Sequence, residues 1–123
     1  EPVATAMAAH AMSDADIADI GTLLEQVNEK TELPELIAVD LEFHRRIALG
    51  SGNPALASLI ESLSAPTLRA RMWRGLTQEG AVARTLEQHQ AIHAALVARE
   101  PEVARSWATV HIAGVEEWLR RAL

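Results

Sequence analysis

Apolar residues in this chain recur three or four positions apart in every long segment, and no stretch alternates apolar with polar. That period belongs to an amphipathic helix, not to a half-buried strand. Ile17, Ile20, Leu23, Leu24 and Val27 set it in one segment, and Leu36, Ile37, Leu41, Phe43, Ile47 and Ala48 in the next. Leu56, Leu59, Ile60 and Leu63 follow, then Leu86, His89, His93 and Leu96. A last stripe runs through Val103, Trp107, Val110, His111, Gly114, Trp118 and Leu119. The breaks fall where helices must start or stop. Ser13 is placed to cap one helix, Asn53-Pro54 opens another, Gly50-Ser-Gly52 closes the one between, and Pro101 sits at a first turn. With the small, apolar stretch Pro2 to Met12 as a first helix, this predicts an all-α fold of about six helices. Pro66 lies inside the fourth and predicts a kink, the helix continuing through Arg69, Arg71, Trp73 and Arg74 to Gly75.

At 123 residues, 49% of them hydrophobic but only 3% aromatic, the chain is one domain with an aliphatic core. It has no cysteine, which removes disulfides, thiolate metal sites and cysteine nucleophiles. A net charge of −6 argues against a nucleic-acid-binding surface, which needs a basic face. No apolar run is long enough to span a bilayer. The opening residues carry Asp14, Asp16 and Asp19 without Lys or Arg, unlike a signal peptide. A first residue of Glu rather than Met is read as a mature or excised fragment.

The chemistry concentrates in Asp40, His44, His89 and His111. Asp40 and His44 are four apart and share one helix face with Phe43 and Ile47. His89 and His111 fall on the apolar faces of two further helices. A single histidine on such a face is usually a hydrogen-bonded core residue. Four ionisable groups on three apolar faces need partners, because buried charge is costly unless paired or metal-bound. Two explanations stay open: a hydrogen-bonded Asp-His network, and a divalent transition metal held by one carboxylate and three imidazoles. Zinc leads the metals, with nickel, manganese and iron compatible. Glu-x-x-His repeats, His-Glu-x-x-His, Gly-x-Ser-x-Gly and phosphate-binding loops are all absent. His10 has no partner in the sequence. Arg69, Arg71 and Arg74 would ordinarily form a solvated face. The inner face of the fourth helix drifts toward Arg71 and Arg74, however, and an inward arginine suits a carboxylate ligand. Trp73 and His93 are carried with them as candidate effector contacts, although Trp73, Trp107 and Trp118 otherwise read as core or interface.

The segments Asp40-Leu-Glu-Phe-His44, Ala48-Leu-Gly-Ser-Gly-Asn53-Pro-Ala-Leu56 and His89-Gln-Ala-Ile92, with His111 following 22 residues after His89, resemble the C-terminal effector (FCD) domain of FadR-type GntR transcription regulators. The resemblance spans essentially the whole chain. It implies an antiparallel helical bundle, with residues 1–123 forming one ligand-binding and dimerisation domain. It also implies a divalent metal on Asp40, His44, His89 and His111, a small organic acid as effector, and a homodimer. DNA would be bound only through a separate N-terminal winged helix-turn-helix domain absent from this chain. Such a domain is expected to be cytoplasmic and not an enzyme. The rival readings are a metal-dependent enzyme acting on a small carboxylate and a purely structural helical dimer. Two departures stand out: an arginine often found just before the first helix's glutamate would lie upstream of Glu1, and Gln88 replaces the acid that commonly precedes the third ligand.

Overall fold

A computed structural model of the chain describes residues 1–63 and 78–122; it is all-α, with no strand among the described residues. Helix α1 covers Pro2–Ala11, α2 Asp14–Leu24 and α3 Leu33–Gly50. Residues 54–63 are the described part of α4. Helix α5 covers Ala81–Val97 and α6 Pro101–Ala122. The predicted kink at Pro66 and the arginine-rich stretch after it lie outside the described residues.

The helix boundaries follow the local chemistry. Ser13 accepts a hydrogen bond from the Asp16 amide at 3.1 Å, and Asn53 Oδ1 accepts one from the Leu56 amide at 3.0 Å. After α3 the chain turns through Gly52, whose φ of +74° suits a residue without a side chain. Helix α5 ends differently. Its left-handed residue is Arg99, with φ of 56°, and the amides of Arg99 and Glu100 bond back to the carbonyls of Leu96 and Ala95. A non-glycine residue is held there because its guanidinium reaches across to the far end of α1. It donates to the carbonyls of Ala9 and Met12 and to Asp14.

Helix α1 packs against α6 and α3, α2 against α3 and α5, and α5 against α6. The core between them contains Ile17, Ile20, Leu23, Leu24, Phe43, Ile47, Ile92 and Leu96. Helices α1 and α6 meet through small residues: Ala4, Ala8 and Ala104 have no exposed surface. Helices α2 and α5 also approach closely, since a Cβ built on Gly21 would come within 2.8 Å of the His93 ring.

Two predicted faces need correction. Val103, Trp107 and Val110, expected inside, are 41%, 38% and 50% exposed, and the buried stripe of α6 is Ala104, Ala108 and His111. The close seam with α1 selects alanine, so α6 is rotated by about one residue from the face its larger side chains mark. On α4, Leu59 and Leu63 point outward and Ala57 is buried. The side chains of Trp118 and Leu119 lie outside the described residues.

Candidate metal centre

Helix α3 supplies Asp40 and His44, α5 supplies His89 and α6 supplies His111, each from its buried face. The three imidazoles are between 2% and 5% exposed, and the Asp40 side chain is 13% exposed. Phe43, one residue before His44 and fully buried, stacks on the His89 ring at 4.2 Å between centroids and fixes its plane. The three imidazole centroids lie 5.0, 5.2 and 5.4 Å from one another.

One ligand atom from each of the four residues falls within 4.8 Å of the others. Asp40 Oδ1 is 3.1 Å from His44 Nε2 and 3.2 Å from His89 Nε2. Neighbouring donors bound to one ion at about 2.1 Å, at right angles, stand about 3 Å apart. His89 Nε2 is buried and, although Asp40 Oδ1 lies 3.2 Å away, makes no hydrogen bond of ordinary geometry. A lone pair left in such a place is costly unless something takes it. The donor set therefore fits a divalent transition metal.

The atoms behind the ligands fix which nitrogen faces inward. His111 Nδ1 lies 2.8 Å from Gln88 Oε1. An amide oxygen only accepts, so Nδ1 carries the proton and Nε2 is left with its lone pair. Gln88, the residue standing where an acid is common, thus still orients the ligand. Glu1 plays the matching part on the other side, its carboxylate contacting His44 Nδ1. Neither role was legible in the spacing.

The electrostatics separate the three histidines. Burial works against a charge on His44, but the carboxylates of Asp40 and Glu1 outweigh it and raise its pKa to about 9. Burial lowers the pKa of His89, with Asp40 opposing. Burial and then the neighbouring His89 and His44 push His111 down to about 3. Asp40 is held well below the usual carboxylate range because His44 overcomes the effect of burial. Without a metal the centre is an ion pair, Asp40 with protonated His44, flanked by two neutral imidazoles.

A cavity of about 70 Å³ opens onto Asp40, His89 and His111, between α3, α5 and α6. Of the residues expected to contact an effector, Arg71, Trp73 and Arg74 lie outside the described residues. His93 is placed on α5 against α2, its Nε2 3.0 Å from the Ile17 carbonyl, and does not line this cavity. His10 is exposed.

The FCD domain family matches residues 1–114 of the sequence. Among solved structures, E. coli McbR/YncC has the same fold, with a TM-score of 0.84 and 24% sequence identity over 99% of this chain. The chain spans 63% of that protein's length. No curated protein matches the sequence.

Proposed function

The chain belongs to the FCD domain family, and from that premise we propose that it is the effector-sensing domain of a bacterial transcription regulator, holding a divalent metal on Asp40, His44, His89 and His111. The observation that carries this reading is the convergence of four buried ligand atoms at the end of a cavity open to a small molecule. Bound there, a metal supplies a positive centre with coordination positions left for a carboxylate. The chain's own residues do the rest. Gln88 and Glu1 hold the rings of His111 and His44, Phe43 braces His89, and apolar walls keep water from competing for the ligand. Because the ligands come from three helices, filling the cavity favours the packing of α3, α5 and α6 that suits the bound acid. A DNA-binding domain outside this chain would read that preference. Zinc is the first candidate metal.

Self-association is part of the same proposal. Leu59 and Leu63, four apart and exposed on α4, offer apolar surface for a second copy. A soluble cytoplasmic setting fits a regulator, and no described helix is long and apolar enough to cross a membrane. An enzyme reading would need a general base beside the ligands, and no described residue lining the cavity, apart from the ligands themselves, is ionisable.

Elemental analysis of purified protein tests the proposal. About one equivalent of a first-row metal is expected, falling severalfold in His89→Ala. Equal, weak metal content in both proteins would show that the cluster is a hydrogen-bonded core network instead.

A further inference from the structure

Helix α2 supplies none of the four cluster residues, yet it packs against both α3 and α5, which supply three of them. It therefore bridges the two helices that hold Asp40, His44 and His89. Each of those helices reaches the α2 backbone with a side chain. From α3, two residues past His44, Arg46 Nη1 donates to the Asp19 carbonyl at 3.3 Å. From α5, one turn past His89, His93 Nε2 donates to the Ile17 carbonyl at 3.0 Å. The His93 ring can sit there because the residue beneath it is Gly21. A Cβ at that position would come within 2.8 Å of the ring Cε1 and 3.0 Å of Nε2. We propose that His93, seated in the Gly21 notch, is a positioning residue of the metal centre: it sets how α5 lies on α2, and thereby where His89 meets Asp40. This role rests on the metal-holding reading above and extends it beyond the four ligands.

The core residues of these two helices, Ile17, Ile20, Ile92 and Leu96 among them, are apolar. Apolar burial is non-directional and does not by itself fix the position of one helix along another. A hydrogen bond made in a notch one glycine wide does. The centre tolerates little slack. Asp40 Oδ1 already stands 3.1 and 3.2 Å from the His44 and His89 nitrogens, close to the separation that a shared ion needs. The Ile17 carbonyl also lies within α2, where the Gly21 amide is its helical partner. Losing His93 therefore orphans no backbone group, and the bond governs position more than stability.

Zinc affinity from competition against a chromophoric chelator, set beside urea unfolding of the metal-free proteins, tests this. His93→Leu keeps an apolar body and loses the donor. It is expected to weaken zinc binding about tenfold while leaving metal-free stability nearly unchanged. His93→Gln offers an amide N–H at a similar reach and is expected to bring affinity back close to the wild-type value. Gly21→Ala should weaken zinc binding as His93→Leu does. Combining the two should weaken it no further, because both remove the same contact. Wild-type affinity in both His93→Leu and Gly21→Ala would overturn the positioning role while leaving the metal centre standing. A loss of affinity that only tracks a loss of stability, without rescue by His93→Gln, would make the contact merely structural and overturn the role as well. Wild-type protein that takes up no metal would overturn both readings.

Discussion

His44 lies between two carboxylates, those of Asp40 and Glu1, and in the metal-free protein it keeps its proton up to about pH 9. A metal must displace that proton, because only the neutral ring offers Nε2 a lone pair. The pKa is raised, so the competition weakens as pH rises. Metal affinity should climb about tenfold per pH unit from neutrality and flatten above about pH 9, with close to one proton released per metal at pH 7. Competition against a chromophoric chelator at three pH values measures the slope. A flat profile would mean that His44 is already neutral, or is not a ligand. Gln88 makes a separate prediction. Removing its oxygen in Gln88→Ala frees His111 to take the wrong tautomer or rotate, which should weaken metal binding by about 10- to 100-fold. The fold should be little changed, since Gln88 is only partly buried. Near-ultraviolet circular dichroism beside the same titration separates the two effects.

The elements that sequence periodicity described well are those whose buried face carries large residues. Phe43, His44 and Ile47 on α3 were placed correctly because bulky apolar neighbours mark the same face as the polar pair. Helix α6 was misread for the opposite reason: its buried face is Ala104, Ala108 and His111, and alanine stands out poorly beside Val103 and Trp107. Only the partner helix, with Ala4 and Ala8 at the seam, explains the choice. The cluster of Asp40, His44, His89 and His111 was still legible, because histidine stands out on any face. Glu1 and Gln88 were not, because their contacts depend on how separate helices meet. Arg99 was hidden in the same way. Its clamp on α1 forms between residues far apart in sequence, and its left-handed backbone resembles an ordinary helix end. Arg99→Ala should cost about 1–2 kcal/mol by uncapping α1. Arg99→Gly should cost about 1 kcal/mol less, because glycine relieves the left-handed strain. Asp14→Ala should cost under about 0.5 kcal/mol, since that carboxylate is almost wholly exposed. Urea unfolding of the three variants gives the order.

At the scale of the whole molecule, α1 and α6 form the most extensive helix pair among the described residues, so the first and last helices close the bundle on each other. Removing α6 by ending the chain at Glu100 should abolish cooperative unfolding and metal uptake together, because it strips the alanine seam as well as His111. Circular dichroism melts and metal content of the shortened protein test this; a cooperative melt would show that the remaining helices hold a core alone. The same closure sets an order during synthesis. While the chain emerges from the ribosome, α3 and α5 can form early, but the three histidines and Asp40 do not meet until the last helix has left the tunnel and docked on the first. A partly made bundle has no four-residue centre to fill, so acquisition of the ion would mark the moment at which α6 has closed on α1.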